Sequence, residues 1–345
     1  MPRIPQLAAA LTMIATTALG QTPPSLPDRA ELEAALRAFD VPGVAMAVLE
    51  GCEPAGVVTA GLADLDTGRP VTPDTAFEAA SLTKPVFAVL VLGLVDEGIL
   101  DLDRPVAKDL DWPRIEDAEA YAEITPRMIL THRTGLPNWV DEATDYHDRT
   151  APIPLLSPPG EAFTYSGEAF QLLQAHVEAL TGESVQTLFK DRLGEVMPNS
   201  TLERPLPESV APSRGYTAAS DPGSGRDMTN LMDRPMVASS LVTTAGDYAR
   251  FLSHVCRGAD LAPDTYADMI RPQSPAGTDH GLTTDWGLGW MLVDMGAGTL
   301  LGHTGRNTEY NAFAGILLGT GEGLTLFTNG ERGGAMIEAL LLPPG

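Results

Sequence analysis

Cysteine, lysine and aromatic side chains are all scarce in this chain. Two cysteines in 345 residues cannot build a disulfide-rich scaffold or a four-thiolate zinc site. Lysine occurs only at Lys84, Lys108 and Lys190. Basic residues number 22 against 46 acidic ones, for a formal net charge of −24. A surface of that sign repels phosphate backbones and anionic lipid, so no nucleic-acid partner is expected. The longest apolar run, Val86 to Val95, is ten residues between Lys84 and Asp96, where a membrane span needs about 20. A Gly-x-Ser-x-Gly elbow is missing, which argues against an α/β-hydrolase. So is His-Glu-x-x-His or any comparable ligand spacing, so neither a metal nor another cofactor is expected. The 34 glycines and 29 prolines follow no period, which excludes collagen-like and repeat arrays. Apolar residues, by contrast, make up 43% of the chain, enough for an ordinary globular core. At about 150 residues per domain the length fits two domains or one two-lobed unit.

The first twenty residues read as an export signal. Arg3 is the only charge before an apolar centre, Leu7 to Leu11 and then Met13-Ile14-Ala15. Ala18-Leu19-Gly20 ends it with small residues at both outer positions. No cysteine stands at the cut, so no lipid anchor is indicated. The expected location is periplasmic or secreted, with residues 1–20 as signal peptide and 21–345 as a single catalytic domain. That compartment permits a Cys52–Cys256 disulfide; two free thiols fit the sequence equally.

Periodicity outlines the rest. Asp28 to Phe39 reads as an amphipathic helix with Leu32, Leu36 and Phe39 in phase. Val44 to Leu49 and Val57 to Leu62 read as strands joined by a turn near Gly51 and Pro54. Ser81 to Glu97 is a long apolar helix stopped by Gly98, with Pro85 in its first turn, where a missing N–H costs least. Ala169 to Leu180 and Gly246 to Cys256 are further helices. Residues 197–235, rich in Pro, Ser, Gly and Asp, are expected to wrap the surface. Short apolar runs then return at Trp290–Val293, Phe313–Leu318 and Leu324–Phe327, read as antiparallel strands, and Ala335 to Leu342 as a closing helix. Strands at both ends with helices between imply one antiparallel sheet built from both ends of the chain. The α/β lobe would run over about 28–80 and 236–345, and a mostly helical inserted lobe over about 81–235.

The chemistry begins at Ser81-Leu82-Thr83-Lys84. A serine hydroxyl is a poor nucleophile until a base takes its proton. Three residues along a helix return to the same face, so Lys84 can reach Ser81. With 14 serines and three lysines, about 0.1 such spacings arise by chance, so the motif gains weight only from its setting at the mouth of the apolar helix. Two further segments accompany it: Phe163-Thr164-Tyr165-Ser166-Gly167 before a helix, and Gly302-His303-Thr304-Gly305-Arg306 near the C-terminus. Ser166 reads as a loop hydroxyl, and His132 in Thr131-His132-Arg133-Thr134-Gly135 as a buried or turn-forming residue, neither as catalytic. Asp145, His147 and Asp148 form a polar loop. Trp139 and Trp286 are candidates to line a cleft, although such tryptophans more often pack a core.

In this order the three segments resemble the serine β-lactamase and penicillin-binding superfamily: class C β-lactamases, family VIII esterases, D-aminopeptidases and D-alanyl-D-alanine carboxypeptidases. LVDEGILDLDRP (Leu94 to Pro105), ILTHRTGLP (Ile129 to Pro137), LVTTAGDYARFL (Leu241 to Leu252) and Thr328-Asn329-Gly330 add to the likeness, which spans about residues 30–332. The resemblance implies a β-lactamase/transpeptidase-like α+β fold. It casts Ser81 as the acylated nucleophile, Lys84 as the lysine that helps deprotonate it, and Tyr165 as general base and proton shuttle. His303-Thr304-Gly305 takes the place of the Lys-Thr-Gly strand edge that lines the substrate. The oxyanion hole would be the backbone N–H groups of Ser81 and Arg306. A tyrosinate beside Lys84 would form a charged pair and lower the phenol's pKa; the two titrations are coupled, and the order of proton transfer is open.

Two positions depart from the pattern. Gly167 replaces the usual Asn of the tyrosine motif, removing an amide that orients lysine and substrate. His303 replaces the usual Lys, and a neutral imidazole anchors a substrate carboxylate weakly. Arg306 could restore that charge or be a solvated surface residue. The expected activity is a serine hydrolase cleaving an ester, an amide or a D-amino-acid peptide through an acyl-Ser81 intermediate. Carboxylesterase and D-peptidase are close rivals, with β-lactamase third, and a non-catalytic penicillin-recognising protein is the competing class. Oligomeric state is not legible.

Overall fold

A computed structural model describes residues 27–140, 151–228, 233–279, 282–296 and 298–341. The signal-like residues 1–20 and the polar loop with Asp145, His147 and Asp148 lie outside them.

The chain enters through helix α1 (Arg29–Phe39). Asp28 and Glu31 form a reciprocal capping box at its start, and Asp40 in the left-handed region ends it. Strands β1 (Gly43–Glu50) and β2 (Glu53–Asp64) follow as a hairpin. β2 begins four residues before the apolar run that signals it, because its first half is exposed and shows no alternation. Two short strands, β3 (Arg69–Pro70) and β4 (Thr75–Glu78), lead to a 3-10 turn, Ala80–Leu82, and helix α2 (Thr83–Asp96).

α2 is buried on every side from Thr83 to Leu92, which explains why its sequence lacks a polar face. Short helices α3 (Ala118–Tyr121) and α4 (Pro126–Leu130) follow, then α5 (Gly167–Thr181), whose Phe170 ring meets Phe87 of α2, and α6 (Val185–Leu193), which packs on α2. Ser166 caps α5 by accepting from Ala169 N, and Gly182 closes it at φ +72°.

The segment expected to lie on the surface differs from that expectation. Met197, Leu202 and Tyr216 are fully buried. Residues 211–212 form β5 beside β4, and Tyr216 N donates to Asn329 O. Single apolar anchors in a Pro- and Gly-rich stretch leave no periodic trace.

β6 (Val242–Thr243) pairs with β4, and Thr244 caps α7 (Ala245–Cys256). Helix α8 (Pro263–Met269) precedes six strands: β7 (Ser274–Asp279), β8 (Leu282–Trp286), β9 (Met291–Asp294), β10 (Thr299–Arg306), β11 (Asn311–Leu317) and β12 (Gly323–Thr328). Helix α9 (Gly333–Leu341) follows.

The large sheet has the order β3-β2-β1-β12-β11-β10-β9-β8-β7. Its halves come from opposite ends of the chain and join where β1 pairs antiparallel with β12, Val44 opposite Thr328. β1 shows how the two faces are specified. Ala45, Ala47 and Leu49 enter the core shared with α7 and the helical region, while Val44, Met46 and Val48 face α1 and α9. Cys52, in the β1–β2 turn, is disulfide-bonded to Cys256 at the end of α7. Among the described residues no helix is long and apolar enough to cross a membrane.

Candidate active site

Ser81 sits in the 3-10 turn at the mouth of α2. The preceding residue, Ala80, has φ +48°, a left-handed conformation that a residue with a Cβ adopts only under strain. Around this bend the chain is tied down from several directions. Ala79 N donates to Leu241 O, Thr83 Oγ1 donates to Ala80 O, and Tyr248 OH donates to Leu82 O. Because the turn is a helix start, Ser81 N has no acceptor within it.

Lys84, one turn on, is almost wholly buried. Its Nζ lies 3.1 Å from Ser81 Oγ and donates to Ala238 O at 2.8 Å. It also lies 4.9 Å from the centre of the Tyr165 ring. Burial without a carboxylate partner lowers its pKa to about 7.

Tyr165 arrives on the loop before α5 and faces Ser81 and Lys84. Burial pushes its phenol above the ordinary value, and the nearby Ser81 hydroxyl opposes the shift only in part. Of the two, the amine is the group whose pKa burial lowers and the phenol the one whose pKa it raises.

His303 stands on β10 with its ring buried. Nδ1 lies 2.6 Å from Thr304 O. A carbonyl can only accept, so the proton is on Nδ1, and Nε2 is left to accept from Tyr165 OH at 3.5 Å. Burial first, then the charge of Lys84, lowers the imidazole to about 3. It is neutral across the physiological range. Trp286, also buried, places its ring 5.8 Å from that of Tyr165 and 5.4 Å from that of His303.

The strand register places the remaining groups. β9 pairs with β10 only as far as Gly302. The bond from Asn307 N to Tyr310 O fixes the ladder phase with β11, so Thr304 and Arg306 turn their N–H and C=O groups away from β11. They line an edge that β9 leaves open. Gly305 presses on the serine turn: a Cβ there would run into Ala79 O, well inside van der Waals contact, and would lie 3.4 Å from Ala80 Cβ. Side chains alternate, so if His303 and Gly305 face the Ser81 turn, Thr304 and Arg306 face the other way. Arg306 lines a hollow with Gly334, Ile337 and Glu338 of α9. Its guanidinium therefore does not replace the charge missing at His303; only its backbone reaches the site.

Gly167 has a steric reason. A Cβ there would fall 2.7 Å from Trp139 Cζ2, so the half-buried indole occupies the space an Asn side chain would need. Ser166 between them is extended, which puts Tyr165 and position 167 on the same side. The chain around Gly167 is pinned by Asn138, whose carbonyl accepts from Gly167 N and Glu168 N and whose Oδ1 also accepts from Gly167 N. A buried ion pair, Arg114 to Glu168 at 2.9 Å, fixes the first turn of α5. Neither Asn138 nor Arg114 was singled out from sequence. A lone Asn or Arg in a loop gives no periodic or spacing signal.

Ser81, Lys84, Tyr165 and His303 thus converge, with the backbone of Thr304 to Arg306 alongside, and Trp139 lies against Gly167. Among the described residues no group of His, Cys, Asp and Glu is arranged to hold a metal.

Comparison with known proteins agrees with this geometry. The chain is 29% identical over 312 residues to Penicillin-binding protein 4 of Amycolatopsis lactamdurans, covering 84% of this chain and 81% of that protein. It is 29% identical over 288 residues to Esterase EstB of Burkholderia gladioli, covering 67% of this chain and 70% of the esterase. Among solved structures, SurE superposes with a TM-score of 0.73 at 26% identity, over 95% of this chain and 74% of that one. The architecture is the β-lactamase/transpeptidase-like α+β fold implied by the sequence motifs. The family model described as Beta-lactamase matches residues 29–340, and the chain belongs to that family of serine hydrolases.

Proposed function

We propose that the protein is an exported serine hydrolase that cleaves an uncharged ester, with amides as slower substrates, through an acyl-Ser81 intermediate. The observation that carries this reading is the meeting of Ser81 Oγ and Lys84 Nζ at 3.1 Å beside an unpaired strand edge. In its neutral form Lys84 accepts the Ser81 proton as Oγ bonds to the substrate carbonyl carbon. The oxyanion that forms takes hydrogen bonds from Ser81 N and Arg306 N. As the C–O bond breaks, the proton on Lys84 passes to the leaving oxygen through the Tyr165 hydroxyl, which stays a phenol on average. Water then attacks the acyl-enzyme with Lys84 again as base, and as the acyl–Oγ bond breaks that proton returns to Ser81 Oγ and the acid leaves. Thr304 and Gly305 flank the substrate, and Trp139 with Gly167 forms an apolar wall in place of the missing amide.

The ester preference is supported by His303, whose buried ring is neutral and bonded at Nδ1 to Thr304 O. It offers no charge to a substrate carboxylate. The relative named as an esterase agrees with this choice. Export is supported by the signal-like start and by the disulfide, a bond of oxidising compartments. A penicillin-recognising role remains the second reading, on the strength of the relative named as a penicillin-binding protein.

Intact-mass analysis after treatment with a fluorophosphonate should give one adduct, mapping to Ser81 and missing in Ser81→Ala. A folded protein that takes up no acylating reagent would favour the binding role. A short-chain nitrophenyl ester should turn over faster than a D-alanyl peptide or a chromogenic cephalosporin; hydrolysis of the cephalosporin alone would overturn the ranking.

Gly305→Ala tests the strand edge. The added methyl must displace either β10 or the serine turn, with a destabilisation of about 1–3 kcal/mol. Denaturant titration should show that loss. Ester turnover should fall as well, because Arg306 N and Ser81 N no longer point at one oxygen.

A further inference from the structure

We propose that His132 is a positioning residue for Tyr165, holding the tyrosine loop through one backbone contact and two that its imidazole makes as a neutral ring protonated at Nε2. The role rests on the reading that Tyr165 serves acyl transfer at Ser81. His132 O accepts from Thr164 N at 2.7 Å, and His132 Nδ1 accepts from Ser166 N at 3.1 Å. Between these two bonds the Tyr165 ring lies on the imidazole, with centroids 4.3 Å apart and planes inclined by 33°. The residues before and after Tyr165, and its ring, are therefore all referred to one residue, Thr164 to its backbone and Ser166 and the phenol to its side chain.

The tautomer follows from the donor. Ser166 N carries a hydrogen, so Nδ1 must present its lone pair and the ring proton must sit on Nε2. That Nε2 is buried and has no hydrogen-bond partner among the described residues. His132 also has φ +54°, in the left-handed region that disfavours residues with a Cβ. An orphaned polar atom and a strained backbone at one residue are costs that a phenylalanine or glycine would each remove in part. What neither can do is accept the Ser166 N–H while supporting the phenol. Such outliers persist where the surroundings fix them, and they concentrate at functional sites.

The surroundings here are rigid. Arg133 N donates to Met128 O, Leu156 N donates to Gly135 O, and Ser166 Oγ donates to Pro137 O. The clamp thus refers Tyr165 to the helical region behind it. Tyr165 in turn reaches Ser81 and His303, which belong to other parts of the chain.

Three variants of the full-length protein separate positioning from bulk packing. His132→Asn keeps an acceptor near Nδ1 and tolerates the left-handed backbone. His132→Gln moves its acceptor toward the position of Nε2, and His132→Phe keeps a ring without an acceptor. A misplacement of about 1 Å at a reacting group costs on the order of 100-fold in rate. The Phe and Gln variants are therefore expected to lose about 100-fold in kcat for the nitrophenyl ester with KM little changed, and Asn to recover most of that loss. Thermal melts establish that each variant is folded. Equal kcat for Asn and Gln, or full activity in Phe, would overturn the role. Should Phe fail to fold, the Asn–Gln difference still decides. A wild-type protein that forms no acyl-Ser81 removes the catalytic reading and this role together, whereas an active wild type with indifferent variants removes only the role.

Discussion

Lys84→Met is expected to lower kcat by about 10²–10⁴-fold, the usual range for loss of a positioned general base, while the protein stays folded. Methionine fills a similar volume, and the replaced ammonium is a group that burial already disfavours. The ester KM should change little, since Lys84 touches Ser81 and Ala238 rather than the substrate. Lys84→Arg should be equally inactive, because a guanidinium does not give up its proton at any relevant pH. The wild-type pH profile follows from the same amine. With its pKa lowered to about 7, Lys84 is protonated and unable to accept the Ser81 proton below that pH, and becomes competent above it. The rate should fall about tenfold per unit on the acid side and level off on the alkaline side. His303 titrates near 3 and should not contribute in this range. A flat profile from pH 6 to 8, or a methionine variant within tenfold of wild type, would require a different base.

The second large effect concerns stability. The Cys52–Cys256 bridge closes a loop with a sequence separation of 204 residues. On the chain-entropy account, a loop of that size confers about 5 kcal/mol, the upper end of what single disulfides contribute. The Cys52→Ala/Cys256→Ala variant should therefore melt on the order of 10 °C lower, given about 2 °C per kcal/mol for a chain of this length. The same shift should follow chemical reduction of the wild type. Ester turnover at 25 °C should be unaffected, because neither cysteine belongs to the site. The bridge joins the β1–β2 turn to α7 and encloses the segments that carry Ser81, Lys84 and Tyr165. A melting point unchanged by reduction would mean that the unfolded chain gains no freedom when the loop opens.

Much of this molecule is legible in its residues where burial is one-sided or complete over a long run. α2 is announced by ten consecutive apolar residues, and α1 by Leu32 and Leu36 in helical phase with Asp28 and Glu31 at its start. The antiparallel join of the two chain ends follows from where the short apolar runs lie. β7 and β8 were not legible, because Ser274–Asp279 carries Pro275 and Gly277 and both strands lie toward the sheet's edge. β10 is the instructive case. Gly302 and Gly305 interrupt its alternation, and it was placed as a strand only through its likeness to a family motif. At Gly305 the Ala79 carbonyl approaches too closely for a side chain, and at Gly302 the Ala314 carbonyl leaves a tight fit. That Ser81, Lys84, Tyr165 and His303 lie together was legible as an expectation from their motifs. The direction of their ionisation was not, since it depends on burial that no spacing encodes. Of the two alternatives open for Arg306, the exposed side chain agrees with the solvated one, for an equally physical reason, the parity of a strand.

The pairing of β1 with β12 carries one more consequence. Val44 and Thr328 are register partners, so the central ladder of the sheet is made of contacts between opposite ends of the polypeptide. Such high contact order slows folding, since a long loop must close before the ladder forms. A ribosome-bound chain that lacks β12 can assemble helices around α2 but leaves the inner edge of β1 unpaired. The sheet beside the serine turn is therefore closed only once β12 has been made, and intermediates before that point expose a strand open to mispairing.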